Sequence, residues 1–289
     1  MVNKQIKSIG IFSTTYNRRI EEIVLQCCEI ILNKGIEVTI SSNLKKLKNK
    51  KLIKLSSDED IIKRSDLLLA IGGDGTILSS SRIYGFKGVP ILGINLGNLG
   101  FLADIDPKNL AETLTDVLEG QYATDERIFL EARSNKGSSN KALNEIVVHS
   151  GAVAKLMEYT LEIDNKFVFR QKADGIIICT PTGSTAYSLS GGGPIIHPHV
   201  NTILLLPMLP HSLTARPLIV SDNSKIEIKI EGRTKKANVN FDGQESFVIN
   251  KETNLKINKS KKVLNLVHPI SHDFYSASRN KLGWSAETQ

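Results

Sequence analysis

The stretch Leu69-Ala70-Ile71-Gly72-Gly73-Asp74-Gly75-Thr76-Ile77-Leu78 joins an apolar run to a helical pattern through two adjacent glycines. The run that feeds it, Asp66 to Ile71, is apolar without alternation. A strand buried on both faces of a parallel sheet requires that pattern. The helix is expected to open at Thr76. Glycine tolerates a positive φ and leaves room for an anion to approach backbone N–H groups at a helix N-terminus. At the carboxyl end of a parallel strand, such a loop sits where open α/β sheets bind ligands. Asp74 would then point into a cleft, able to accept a proton from a hydroxyl or to hold a metal ion. Read alone, it serves equally well as the N-cap of an ordinary tight turn.

Working outward, the first part of the chain alternates strand and helix signals, the mark of a layered α/β unit. Ser8–Phe12 reads as the first strand. A helix follows with Ile20, Ile23, Val24, Cys27 and Ile31 on one face and Gly35 as its stop. Residues 36–40 and 89–94 read as further strands, and 107–118 as an amphipathic helix opened by Asp106-Pro107. From about residue 125 the period changes. Leu161 to Phe169 reads as two strands joined at Asp164-Asn165, and Ile226, Ile228 and Ile230 alternate with charged residues as in a half-buried strand. Leu255 with Ile257, and Val263-Leu264 with Leu266, continue the pattern, and no helix of ordinary length is expected between about 125 and 270. The expected organisation is therefore an α/β domain over 1–122 and a mostly-β domain over 123–269. Residues 135–140 read as a turn between strands.

Bulk properties exclude several classes. With 289 residues, 40% hydrophobic and 23% charged, the chain can bury two ordinary cores and is not a disordered protein. No apolar run reaches the roughly 18 residues that span a bilayer, and no signal peptide is evident. The three cysteines, Cys27, Cys28 and Cys179, form no CxxC pair, which argues against a disulfide framework or a zinc site. A cytoplasmic protein without membrane association is expected. The formal net charge of +7 suits a protein whose ligands carry phosphates. Much of the excess sits in lysines 45, 46, 48, 50, 51 and 54, which lack interleaved aromatics and read as a solvated face rather than a nucleic-acid patch.

Two further segments offer chemistry. Gly93 to Gly100 is glycine-rich but lacks dinucleotide-fingerprint spacing; its place on the same sheet edge as Gly72–Gly75 suits a cleft wall. No Walker-type phosphate loop occurs. The strand Ile176–Cys179, preceded by Ala173-Asp174-Gly175, opens into Thr180-Pro181-Thr182-Gly183-Ser184-Thr185-Ala186-Tyr187-Ser188-Leu189-Ser190-Gly191-Gly192-Gly193-Pro194. Hydroxyls, backbone groups and one aromatic ring with little bulk suit a nucleobase and ribose, although composition alone fits a surface turn as well. His197-Pro198-His199 lacks a third ligand and reads as a turn.

Taken together, Gly72–Gly75, Asn144-Glu145, Ala173–Gly175, Thr180–Pro194, Pro207 to Pro217, Asp242-Gly243-Gln244 and Lys281-Leu282-Gly283-Trp284-Ser285 occur in the order and spacing of the NAD kinase family, which the chain resembles over nearly its whole length. The Gly-Gly-Asp-Gly loop is shared with phosphofructokinases and diacylglycerol-type lipid kinases. The Thr180–Ser190 run separates this family from them.

The resemblance implies a Rossmann-like or phosphofructokinase-like parallel sheet, completed by about residues 270–289, and a sandwich-like second domain. It implies transfer of the terminal phosphoryl group of ATP, or of polyphosphate, to the 2′-hydroxyl of the adenosine ribose of NAD. Asp74 would be the general base and, with Gly75, would also contact NAD, while Gly72, Gly73 and Gly75 would form the phosphate-donor loop. Asn144 and Glu145 would hold the ribose. Thr182 and Thr185, Ala186, Tyr187, Ser188, Leu189 and Ser190 would form the adenine pocket. Asp174, Gln244, Lys155, Lys172 and Phe101 would make further NAD contacts. The lysine at 172 offers a point charge rather than a bidentate fork. Mg²⁺ is implied as the divalent ion, with no protein ligands assigned, and a homodimer or homotetramer as the assembly. A lipid or sugar kinase and a non-catalytic nucleotide sensor are the competing readings. The first would lack Thr180–Ser190; the second would lack Asp74.

Overall fold

A computed structural model describes residues 5–47, 54–96, 100–103, 105–151 and 156–283. Lys155, Lys48, Lys50, Lys51, Trp284 and Ser285, and residues 97–99 of the glycine-rich segment, lie outside the described residues. The chain divides into two compact units, residues 1–126 with 262–289, and residues 127–261.

In the first unit, β1 (Ser8–Phe12), α1 (Arg18–Asn33), β2 (Glu37–Ser41), β3 (Leu55–Ser56), α2 (Asp58–Arg64), β4 (Leu67–Ile71), α3 (Asp74–Ile83), β5 (Ile91–Ile94) and α4 (Leu110–Leu118) follow one another. The strands lie in the order β5-β4-β1-β2-β3, every pair parallel. The apolar runs are apolar for the reason expected: every residue of β1, β4 and β5 is buried. Ile20, Ile23, Val24, Cys27 and Ile31 of α1 pack with them in one core. Burying side chains of this size contributes roughly 1.5–3 kcal/mol each. Asn17 caps α1 by accepting the Ile20 N–H at 2.9 Å, and Gly35 adopts φ 70° beyond its end. Pro90 shortens the expected strand at 89–94 to Ile91–Ile94. The expected helix at 107–118 divides into a 3₁₀ turn at Pro107–Asn109 and α4, with Asp106 as the cap.

One boundary moves with consequence. α3 opens at Asp74, two residues before Thr76, and its N-cap is Gly73, which provides no side-chain cap. Asp74 is thus the first helical residue, and its carboxylate is not spent on capping.

The second unit holds most of β6 (Tyr122–Ser134), then β7 (Ser139–Ala142), β8 (Glu145–His149), β9 (Met157–Ile163), β10 (Lys166–Ala173), β11 (Gly175–Cys179), the single turn α5 (Tyr187–Ser190), β12 (Thr202–Met208), β13 (Leu218–Ser221), β14 (Ile226–Ile230), β15 (Lys236–Phe241), β16 (Glu245–Asn250) and the first part of β17 (Asn254–Pro269). The division between units falls inside β6 and β17, the two longest strands. The end of β17 runs parallel to β5 in the first unit, where α6 (Phe274–Leu282) follows.

One sheet has the order β13-β12-β11-β8-β15-β16, antiparallel throughout. The strands β10, β9, β14 and the start of β17 form an antiparallel ladder. Ile146, Val148, Ile176, Ile178 and Phe241 of the first sheet share a core with Tyr159, Leu161, Ile226 and Ile228 of the second, which makes the unit a sandwich. Asp164 and Asn165 take φ 52° and 62° in the two-residue turn between β9 and β10, the geometry a primed hairpin turn requires. Central strand β11 is buried on both faces. Ile176 and Ile178 face the sandwich core, while Ile177 and Cys179 face a second cluster with Val147, Ile196, Leu204 and Leu206.

Candidate functional site

In the first unit, Asp74 is the centre of a small polar network. Its Oδ1 accepts the backbone N–H of Leu102 at 3.1 Å, and its Oδ2 accepts that of Phe101 at 3.1 Å. Lys281, from the last turn of α6, places Nζ 3.1 Å from the same Oδ2 and 4.2 Å from the centroid of the Phe101 ring. A carboxylate held by charged and main-chain donors is a fixed acceptor in a fixed orientation. Glycines make the approach possible. A Cβ on Gly100 would overlap the Asp74 carboxylate, one on Gly72 would overlap the Thr76 hydroxyl, and one on Gly93 would press on Ala103. By contrast, a Cβ on Gly73 or Gly75 would meet nothing within 4 Å. Open space therefore lies beside the first turn of α3, and the positive end of the helix dipole there favours an anion.

In the second unit the separated sequence motifs converge through buried hydrogen bonds. The Asp242 carboxylate accepts three consecutive backbone N–H groups, from Leu143 at 2.9 Å, Asn144 at 2.8 Å and Glu145 at 3.1 Å. Asp242 takes φ 51° and Gly243 φ 64° at the turn between β15 and β16, which aims the carboxylate back at the start of β8. Thr180 grips the same segment from the other side: its Oγ1 donates to the Leu143 carbonyl at 2.6 Å, and its N–H to the Asn144 carbonyl at 2.9 Å. A Cβ on Gly183 would overlap that Asn144 carbonyl. The run Thr180–Gly183 thus needs small and hydroxylated residues for packing as well as for any ligand.

Glu145, Asp174 and Tyr187 line one cavity of about 560 Å³ together with His149, Asn240 and Met208. Tyr187 is 45% exposed there. Burial pushes the Glu145 carboxyl up to about 8, helped by the negative charge of Asp242 and opposed by a hydrogen bond from the Tyr187 backbone N–H. Glu145 is therefore largely protonated at neutral pH and can donate to a ligand oxygen. His149 accepts the Gly151 N–H at Nδ1, 3.1 Å, while its Nε2 lies 3.1 Å from the Asn240 side-chain amide.

The other residues expected at the site are placed differently. Asn144 and Ser188 are buried, and Thr182 is buried with its hydroxyl 3.4 Å from Arg127 Nη1. Thr185 donates to the Thr182 carbonyl at 3.3 Å. Ala186 and Leu189 are half-buried and Ser190 is exposed beside them. Gln244 is exposed at the hairpin turn. Lys172 lines a separate cavity of about 700 Å³ with Arg170, His211 and Arg216, its Nζ 4.0 Å from Glu158 Oε2. His197 and His199 stack edge to face, and the His199 N–H bonds to His197 Nδ1, as in a turn. Among the described residues no three His, Cys, Asp or Glu side chains gather as a metal cage, and no helix is long and apolar enough to cross a membrane.

Sequence reasoning overlooked Lys281, Asp242 and His149 as site residues. Lys281 and Asp242 stood inside motifs already singled out. His149 carried no signal, being the one half-buried position at the end of an otherwise buried apolar strand.

Residues 9–122 match the family model of the ATP-NAD kinase N-terminal domain, and residues 143–269 that of the ATP-NAD kinase C-terminal domain. The chain is 42% identical over 258 residues to the NAD kinase of Wigglesworthia glossinidia brevipalpis, covering 88% of each chain. It is 37% identical over 288 residues to that of Ectopseudomonas mendocina, covering 98% of each. Among solved structures, yeast NADH kinase complexed with NADH aligns with a TM-score of 0.88 at 27% identity, covering 99% of this chain and 90% of that one. An NAD kinase from Archaeoglobus fulgidus in complex with ATP aligns with a TM-score of 0.74 at 28% identity, covering 96% and 97%. With both domain models matched in chain order and relatives of this identity aligned end to end, the chain belongs to the NAD kinase family.

Proposed function

We propose that this chain transfers the terminal phosphoryl group of ATP to the 2′-hydroxyl of the adenosine ribose of NAD, giving NADP, with Asp74 as the general base. The observation that carries the reading is a fixed Asp74 carboxylate at the first turn of α3, with open space at Gly73 and Gly75 beside it. Asp74 takes the hydroxyl proton as the oxygen attacks the terminal phosphorus. The donor's phosphates lie along the Gly72–Gly75 backbone at the positive end of the helix dipole. Positioning and electrostatics supply most of the acceleration in such a transfer.

The proposed NAD contacts are Asn144, Glu145, Asp174, Thr182 and the run Thr185, Ala186, Tyr187, Ser188, Leu189 and Ser190, with Phe101, Lys172, Gln244 and Lys155 as outer contacts. The neutral Glu145 carboxyl donates to a ribose or phosphate oxygen. Mg²⁺ is proposed to arrive with the donor, its principal ligands being the donor's phosphate oxygens. Bound there, it would neutralise phosphate charge.

The proposed setting is the cytoplasm, consistent with three buried free cysteines, and the proposed assembly is a homodimer or homotetramer. Incubation with NAD, ATP and Mg²⁺, followed by an NADP-specific dehydrogenase, tests the activity. Measurable NAD binding without NADP formation would instead identify a nucleotide sensor.

A further inference from the structure

We propose that Lys281 is the cation that receives the transferred phosphoryl group, exchanging Asp74 for the new phosphate as its partner during the reaction. The proposal rests on the phosphotransferase reading above. Lys281 stands 207 residues from Asp74 in sequence, yet its ammonium is fixed on two sides, by Asp74 Oδ2 at 3.1 Å and by the face of Phe101 at 4.2 Å. It sits in the last turn of α6, where a cation also complements the helix dipole, and Gly283 at φ 69° closes the helix just beyond it. The Lys281 and Asp74 side chains are 33% and 29% exposed. A pair this open to water contributes little to folding stability, so stability alone is a weak reason for it.

The reaction supplies a better reason. An acceptor hydroxyl beside Asp74 must be joined to a group carrying close to two negative charges, and a neighbouring carboxylate repels that group. As the O–P bond forms, the hydroxyl proton passes to Asp74 and the bond from the terminal phosphorus to the bridging oxygen breaks, its electron pair leaving with ADP. Asp74 becomes neutral at the moment a phosphate dianion appears next to it. Lys281 gains or loses no proton. Its ammonium, released from a neutralised partner, has only to turn toward the new phosphate, with the face of Phe101 keeping the charge in place. The ammonium thereby favours the charge distribution after transfer over that before it, which is the kind of interaction that raises turnover.

The test compares wild type with Lys281→Gln and Lys281→Arg, reading turnover with NAD, ATP and Mg²⁺ alongside calorimetric affinities for NAD and for NADP. Lys281→Gln should lower kcat by about 10–100-fold and weaken NADP about 10-fold, while NAD affinity changes less than about twofold. Lys281→Arg, which keeps the charge, should recover most of both losses. A Gln variant that weakens NAD and NADP alike would overturn the proposal, as would one that turns over like wild type. So would an Arg variant as impaired as the Gln variant, because a loosened α6 would produce that result. Wild type that binds NAD but makes no NADP would instead overturn the underlying phosphotransferase reading.

Discussion

Asp242 holds Asn144 by its backbone: the carboxylate Oδ1 accepts the Asn144 N–H at 2.8 Å, across 98 positions of sequence. The same carboxylate takes the N–H groups of Leu143 and Glu145, so one side chain fixes the whole entrance to β8. Asp242→Ala would leave three buried donors without their acceptor. A loss of about 2–4 kcal/mol is expected, measured by denaturant unfolding, because stranding buried donors costs more than a typical hydrogen bond contributes. Asp242→Asn should recover only part of it, since its NH₂ group would face one of the donors. An unfolding midpoint unchanged in Asp242→Ala would show that these hydrogen bonds do not stabilise the start of β8.

Glu145 should make the protein less stable as the solution becomes more alkaline. In the unfolded chain a glutamate ionises near pH ~4.3. In the folded protein burial, with Asp242 beside it, holds the proton to about 8. Its folded-state pKa is raised, so its favourable contribution is full below the unfolded value and is lost as pH rises through the folded one. Glu145→Gln cannot ionise and should be more stable than wild type by about 2–4 kcal/mol at pH ~9, with the gap closing toward pH ~4. Unfolding midpoints across that range read the effect directly. The amide also mimics the neutral carboxyl, so Glu145→Gln should bind NAD at neutral pH within about threefold of wild type, whereas Glu145→Ala should not.

Asp74→Asn should lower turnover by roughly 10²–10⁴-fold with little change in NAD affinity, as expected when a general base is removed. The amide oxygen can still accept a backbone N–H from the Phe101–Leu102 segment. Its NH₂ group would face the other donor, so a loss of about 1 kcal/mol is expected in thermal unfolding at this half-buried site. Wild-type turnover in this variant would remove Asp74 from the mechanism.

Two glycines of the same site should fail in different ways. Gly73→Ala meets no protein atom within 4 Å, and Gly73 has φ −91°, which alanine adopts freely. Stability should stay within about 0.5 kcal/mol of wild type while ATP-dependent turnover falls at least about 10-fold, because the methyl occupies room proposed for a phosphate. Gly100→Ala instead drives its methyl into the Asp74 carboxylate, so both stability and turnover should fall. Equal activity of Gly73→Ala and wild type would move the phosphate path away from this loop.

Much of this architecture could be read from local pattern. The apolar run Asp66–Ile71 reads as a strand covered on both faces, Ser8–Phe12 reads as the first strand, and the Asp164-Asn165 turn announces its hairpin; all three stand in the fold. By sequence α3 begins at Thr76, because Gly72 and Gly73 both read as turn; the backbone makes Gly73 the N-cap and Asp74 the first helical residue. That small shift changes the meaning of Asp74, from a residue that could cap its own helix to one whose carboxylate reaches another segment.

The sequence by itself determined the two periodicities, the buried strands, the glycine loop and the hydroxyl-rich run, because these follow from side-chain size, polarity and spacing within a few residues. Only the tertiary structure decided which groups meet. Asp74 finds Phe101, Leu102 and Lys281, and Asp242 finds Leu143, Asn144 and Glu145, through strand register and packing that join segments up to 207 positions apart. The raised affinity of Glu145 for its proton likewise exists only in the folded chain, since it arises from lost water and a neighbouring charge rather than from the glutamate itself.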